Sequence, residues 1–446
     1  MTIMIRIRYA AAALAASLLL AGCSAPNEPE PLKPKTTSAT SSAAESVLES
    51  ESTDESKSTD EGSAPDSTDP QDDESLPDDK KADSDTKKED KKDDKKEETD
   101  SIKKLISEMT LEQKVCQMFI VTPEGMTGDW QTTYFDEPLK QAIEKYPVGG
   151  IILFAQNLQD TEQAKALISD MQSCAKNSSG IGLFMAVDEE GGIVARCADT
   201  LGTTSFNNMA YYGKDNNRDT AYEIGSTLAK DISSIGFNLD FAPVTDVDID
   251  PGNELGERIF SSDPDVVANM VCGVVAGLQD NNVCATLKHF PGLGAEDGNT
   301  HTSSFVVIDR TLDQLRETEL VPFKQAIDEG AAFVMVGHQI VTGFGDELPC
   351  DLSYKCVTEI LRNELGFDGI AVTDSQLMNT ISTVYGAGEA AKKSIAAGID
   401  IVLMPSDLPG AISAVVEAVN SGEISEEQID KSVTRILERK RMLGLI

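Results

Sequence analysis

Side chains able to do acid, base or nucleophilic chemistry close several of the chain's apolar runs. Asp188-Glu189-Glu190-Gly191-Gly192 follows one run, with Arg196 eight residues after Asp188. Lys288-His289-Phe290-Pro291-Gly292 ends another, with His301 in the polar, Gly-containing stretch beyond it. His338 and Thr373-Asp374 end two more. Two of the chain's three histidines therefore close apolar runs, and the third lies in a loop after one. Carboxylates facing a proton donor among Arg and Lys suit glycoside hydrolysis. One acid stabilises or attacks the oxocarbenium-like centre while a second group protonates the leaving oxygen. Sugar hydroxyls are gripped by bidentate acids and by Arg or Lys donors. Taken alone, these residues indicate an enzyme acting on a polar substrate.

The runs themselves recur eight times: Gln117–Val121, Gly149–Phe154, Leu183–Val187, Phe237–Ala242, Val283–His289, Phe333–Gly337, Gly369–Thr373 and Ile399–Met404. Residues at helical spacing lie between them. Ala221, Ile224, Leu228 and Ile232 share one face, Leu312 to Ile327 opens on a Thr311-x-x-Gln314 capping box, and Ser353 and Gly366 bracket a third helix. Near-continuously apolar strands alternating with helices indicate a parallel sheet covered on both faces. Eight such units, with no G-x-G-x-x-G after the first strand, predict an α/β fold, a (β/α)8 TIM barrel, over a single catalytic domain at 101–446. Barrel enzymes place their chemistry at the C-terminal ends of strands, where the polar residues above fall.

Five ordered motifs make the reading specific. Met109-Thr110-Leu111-Glu112-Gln113-Lys114-Val115, Asp188-Glu189-Glu190-Gly191-Gly192, Gly256-Glu257-Arg258-Ile259-Phe260, Lys288-His289-Phe290-Pro291-Gly292 with His301, and Val372-Thr373-Asp374-Ser375 together resemble glycoside hydrolase family 3. The likeness is greatest to its bacterial β-N-acetylhexosaminidase branch and covers nearly all of residues 102–446. It implies that Asp374 is the catalytic nucleophile and His301 the acid/base. It also implies that Asp188, Arg196, Arg258, Lys288 and His289 bind the terminal sugar. The implied reaction is retaining removal of terminal β-linked N-acetylglucosamine, with wall-derived glycans as the expected source. Two positions depart from the family pattern: Leu293 stands where a second histidine is usual, and Asn299 stands where an aspartate normally precedes the acid/base histidine by two. An amide can orient imidazole but supplies no charge to hold its proton, so the departure predicts a slower or more acid-shifted enzyme unless Asp297 or Glu296 takes over.

Other readings of the same residues stay open. Asp374 could cap a helix, His301 could be an ordinary loop residue, and Lys288 and His289 could line a barrel rim without touching substrate. Arg258 could brace the loop after the fourth strand through Asp246 or Asp248, and His338 could contact substrate or hold its neighbours. Functionally the alternatives are a β-glucosidase or β-xylosidase of the same family, with phosphate in place of water also open, or substrate-assisted catalysis through Asp188 and Glu189. A lipid-anchored carbohydrate-binding protein weak in catalysis is a third.

The remaining sequence bounds the class. With 76 acidic and 38 basic side chains in 446 residues the net charge is −38, which argues against nucleic-acid binding. Residues 1–23 have a basic start, an apolar run and then Leu20-Ala21-Gly22-Cys23, resembling a lipoprotein signal with lipidation at Cys23. Residues 24–100 carry 25 acids and 11 bases with no Phe, Trp or Tyr, predicting a disordered tether. The expected site is therefore the outer face of a bacterial membrane, contacted through the lipid alone, with a carbohydrate substrate and no protein partner. Neither H-E-x-x-H nor a Gly-rich phosphate loop is present, so no metal or cofactor is expected. Seven cysteines after Cys23, without a C-x-x-C pair, speak against a disulfide framework, although Cys350 and Cys356 lie close enough in sequence to pair.

Overall fold

The computed structural model of the protein describes residues 100–295 and 305–446. Cys23, residues 24–99 of the expected tether, Glu296, Asp297, Asn299 and His301 lie outside the described residues.

Each of the eight apolar runs holds a strand: β1 (Phe119–Val121), β2 (Gly150–Ile152), β3 (Phe184–Val187), β4 (Leu239–Asp240), β5 (Thr286–Phe290), β6 (Phe333–Val336), β7 (Ile370–Thr373) and β8 (Val402–Leu403). Every residue of these strands is buried, which is why they read as continuous apolar runs rather than as alternating patterns. Their pairings are parallel, in the orders β8-β1-β2-β3-β4 and β5-β6-β7. Parallel bridges from Leu239 to Cys284 and from Val372 to Ile401 link β4 to the start of β5, and β7 to the start of β8. The pairings thus return to where they began. Inside this circuit Phe184 of β3 and Phe333 of β6 meet edge to face at 5.4 Å.

Parallel neighbours in sequence order require a crossover between each pair, and helices supply it. They include Glu137–Lys145, Thr161–Ser179, Arg218–Ile235, Pro264–Gln279, Leu320–Asp328 and Ala387–Ala397. Asp136, Asp160, Asn217 and Asp263 each accept a backbone N–H of the first turn that would otherwise lack a partner. The fold is α/β, and the parallel pairing of these eight strands puts their C-termini at one end.

Two expectations change in detail. The helix expected from Leu312 to Ile327 has its Thr311 capping box but breaks at Thr318, giving Leu312–Glu317 and Leu320–Asp328. The break turns the buried Glu319 carboxylate onto Arg310, a bidentate pair at 2.8 and 2.9 Å. Ser353 does cap its helix, accepting from Cys356 N–H, but Lys355–Glu364 is wound as a π-helix. Cys350 and Cys356 are both buried and both free thiols, so this pair is not a disulfide here.

Candidate active site

A cavity of about 490 Å³ opens among the strand C-termini, a volume within the usual range for small-ligand sites. Asp188, Arg196, Arg258, Lys288, His289 and Asp374 all line it. These come from the ends of β3, β5 and β7 and from the loop after β4, so residues up to 186 positions apart converge because parallel strands deliver their ends together.

The β3 end is folded by its two glycines. Glu189–Gly191 pairs antiparallel with Val194–Ala195, and Gly191 and Gly192 hold φ of 82° and 63°, a region most side chains avoid. The hairpin returns the chain so that Arg196 N–H donates to the Asp188 carbonyl at 3.4 Å, which accounts for their spacing of eight. Arg196 Nε is buried and has no hydrogen-bond partner among the described residues. A bound polar ligand would satisfy it.

Between Asp188 and Arg196 the two glutamates part company. Glu190 lines the cavity and is the hub of an ion-pair network: Lys288 Nζ lies 2.6 Å from its Oε1, and Arg258 donates from Nε and Nη2 at 2.8 and 2.7 Å. Lys288 also donates to Asp188 Oδ1 at 2.9 Å. Burial would raise the Glu190 pKa, but the Lys288 and Arg258 charges outweigh it and hold it at about 2. Arg258 therefore braces the β3 end through Glu190, not the loop after β4 through Asp246 or Asp248. Glu189 instead turns inward and accepts the N–H groups of Cys197 and Ala198 at 2.7 and 2.9 Å. Burial dominates there, and its pKa is raised to about 7.

His289 is set by Asp246, whose Oδ2 accepts its backbone N–H at 3.0 Å and contacts Nδ1 at 2.8 Å; Oδ1 accepts Leu293 N–H at 2.6 Å. A carboxylate against Nδ1 makes that nitrogen the proton carrier. Successive strand residues normally face opposite ways, yet Lys288 and His289 both line the cavity, at a point where the β5 register against β6 shifts. Neither behaves as a rim side chain: they are 3% and 6% exposed.

Asp374 follows β7 and accepts Ser375 N–H at Oδ1, 2.7 Å away. The Ser375 carbonyl contacts His338 Nε2 at 2.9 Å, and His338 Nδ1 lies 3.0 Å from Asp351 Oδ1. His338 is not in the cavity wall; it stands behind Asp374 and holds the peptide that holds it. Burial would lower the His338 pKa, but Asp351, Asp374 and the Ser375 carbonyl raise it to about 9. Burial likewise works to raise the Asp374 pKa; the nearby His289 and His338, the Ser375 N–H and Lys288 more than offset it, leaving a lowered value. A buried carboxylate kept ionised beside cations, with one oxygen fixed by a backbone donor, is equipped to attack an electrophilic carbon.

Glu190, Asp246 and Asp351 were not singled out by residue type and spacing for these parts. Glu190 lies inside the Asp188–Gly192 motif, which is the one signal the sequence carries for it. Among the described residues no group of three or more His, Cys, Asp or Glu side chains is arranged to hold a metal ion.

Comparison with known proteins gives the chain relatives. The Glycosyl hydrolase family 3 N terminal domain matches residues 110–439. Beta-hexosaminidase A of Pseudoalteromonas piscicida is 32% identical over 347 residues, covering 72% of this chain, which spans 58% of that protein's length. The Beta-hexosaminidase of Nitrosomonas eutropha is 34% identical over 266 residues, 58% of this chain and 74% of the relative. Among solved structures, a glycoside hydrolase family 3 beta-N-acetylglucosaminidase from a Paenibacillus species superposes with a TM-score of 0.71 at 34% identity, covering 76% of this chain and 63% of its own. A Beta-N-acetylhexosaminidase from Beutenbergia cavernae gives 0.68 at 28% identity, covering 75% and 99%.

Proposed function

The chain belongs to glycosyl hydrolase family 3, and on that premise we propose that it is a retaining exo-glycosidase removing terminal β-linked N-acetylhexosamine, foremost N-acetylglucosamine. The relatives named as hexosaminidases support the sugar. The observation that carries the reaction is Asp374, an ionised carboxylate in a cavity shared with Asp188, Arg196, Arg258, Lys288 and His289. The closed circuit of eight parallel strands supports reading the fold as a (β/α)8 barrel.

In this reading Asp188, Arg196, Lys288 and His289 grip the sugar hydroxyls, and Arg258 holds Glu190 so that Lys288 stays in place. An Asp374 oxygen attacks C1 while His301 gives its proton to the departing glycosidic oxygen, forming a covalent glycosyl-enzyme. His301 then takes a proton from water as that water attacks C1 and frees Asp374, so configuration is retained after two inversions. Asn299 would orient His301. The exported lipoprotein layout, anchored at Cys23 with 24–100 as tether, suits wall-derived glycans as substrates.

Substrate-assisted catalysis through Asp188 and Glu189 is weaker, because Glu189 spends both oxygens on backbone donors away from the cavity. A 2-fluoro-sugar trap on the full chain tests the proposal. Mass spectrometry should find the label on Asp374; a label elsewhere, or turnover that survives Asp374→Ala, overturns it. A panel of aryl β-glycosides, with and without phosphate, separates N-acetylglucosaminides from glucosides and xylosides and hydrolysis from phosphorolysis.

A further inference from the structure

Gln339 stands just past the end of β6 and is wholly buried. Its side-chain Nε2 donates to three backbone carbonyls, those of His289 at 3.3 Å, Phe290 at 3.3 Å and Gly292 at 3.2 Å. Three acceptors around one end of the amide fix which end carries the hydrogens. The other end, Oε1, is buried without a hydrogen-bond partner among the described residues and lies over Gly337, where a Cβ would stand 2.2 Å from it. An orphaned buried oxygen costs stability, so the place of the amide here rests on the three carbonyl bonds.

The turn so held is the one that brings His289 into the cavity, and it is gripped by two side chains of opposite kind. Asp246 takes N–H groups, those of His289 and Leu293, while Gln339 takes carbonyls. His301 lies in sequence between Leu293 and Val306. Ile340, the residue after Gln339, donates its N–H to the Val306 carbonyl at 2.9 Å, and Ile340–Val341 pairs in parallel with Val307–Ile308. Residues 339 and 340 therefore hold both roots of the segment that carries His301, one by side chain and the other by backbone. A further link spans the same two roots. Arg310, just past Ile308, holds Glu319, and the Glu319 side chain packs against Gly292, where φ is 136° and a Cβ would meet Glu319 Cβ at 2.9 Å.

We propose that Gln339 is a positioning residue for proton transfer: by fixing the 289–292 turn beside the 306–308 return, it sets where His301 stands relative to the departing glycosidic oxygen. This rests on the glycosidase reading with His301 as acid/base and deepens it. Gln339 itself is not in the cavity wall. Proton donation needs the donor within hydrogen-bond reach of the leaving oxygen, and a misplacement of about 1 Å costs on the order of a hundredfold. Asp374, at the end of β7, attacks from neither root. Loss of Gln339 should therefore fall on glycosides whose leaving oxygen needs a proton and spare those whose leaving oxygen does not.

The test compares phenyl and 2,4-dinitrophenyl β-N-acetylglucosaminides on the full chain, because phenolate needs the proton and dinitrophenolate departs without it. Gln339→Met keeps the side chain's length and approximate volume and removes its donors. It should lower kcat/KM roughly ten- to hundredfold on the phenyl glycoside and less than about threefold on the dinitrophenyl glycoside. Should that variant not fold, Gln339→Asn, one methylene shorter and still an amide, should show the same asymmetry at smaller size. Equal losses on both glycosides, wild-type rates on both, or failure of both variants to fold overturns the inference and leaves Gln339 a role in the fold alone. If wild type cleaves neither glycoside, the glycosidase reading falls and the inference with it. If wild type cleaves both and the variant keeps the wild-type ratio between them, only the inference falls.

Discussion

Lys288 Nζ lies 2.6 Å from Glu190 Oε1, and both side chains are almost wholly withdrawn from solvent. The pair is completed by Arg258 and Asp188, so each charge is compensated only while all four are present. The Glu190 pKa is depressed, so the stability it contributes is present above the ordinary carboxylate value and lost as pH falls toward about 2. Glu190→Gln, of the same size, strands two cations in the site. It should cost about 3 kcal/mol, read as a lowered melting temperature at pH 7 that converges with wild type near pH 2. A melting temperature unchanged at pH 7 would show the network to be dispensable.

His338 gives the opposite sign. Its pKa is raised to about 9, so the stability it lends is present in full below its ordinary value of 6.5 and is lost as pH rises through about 9. His338→Gln should abolish that alkaline loss in a melting curve series. Because His338 acts on Asp374 through the Ser375 peptide and through its charge, and does not line the cavity, the same variant should lower kcat roughly tenfold with little change in KM. A change in KM alone would mean direct substrate contact instead.

Asp351 should act through His338. Asp351→Asn removes the main charge raising the imidazole pKa, so the alkaline limb of the stability profile should move to lower pH. An unmoved limb would assign the His338 shift to Asp374 and Ser375.

Glu189 offers a third pH signature. A carboxyl raised to about 7 ionises more easily in the unfolded chain than in the folded one. Stability is therefore lost as pH rises from the ordinary 4.5 to about 7, by about 3 kcal/mol. Glu189→Gln should flatten the melting temperature across that window, and a slope equal to wild type would sink the assignment.

Asn299→Asp tests the one departure beside the expected acid/base. A carboxylate two residues before His301 should stabilise the protonated imidazole, raising kcat/KM and moving the basic limb of the pH-rate profile upward. If neither moves, Asn299 is no handicap or another acid serves.

How far the sequence could be read depended on what kind of signal each feature leaves. The strands were legible because burial on both faces makes them continuous apolar runs; seven fall inside the expected segments, and the fifth, Thr286–Phe290, runs one residue past its own. The helix break at Thr318 was not, because the Leu312–Ile327 periodicity continues across it, while the Arg310–Glu319 pair beside the break is a contact outside the pattern. Asp188, Arg196, Arg258, Lys288, His289 and Asp374 were legible through motifs at strand ends. Their partners were less so: Asp246 or Asp248 was an open alternative for Arg258, which pairs with Glu190.

Residue order by itself determined the α/β alternation, the strand ends that carry polar groups, and the identity of the groups brought to the cavity. Those properties are local, set by burial patterns and by the few residues flanking each strand. Tertiary structure alone decided which of two adjacent glutamates becomes the hub of an ion-pair network and which is buried on backbone donors. It also decided that Asp246 sets His289 and that His338 stands behind Asp374. Pairing, desolvation and the resulting charge state depend on groups tens to hundreds of residues away, at distances of a few ångströms that no spacing along the chain encodes.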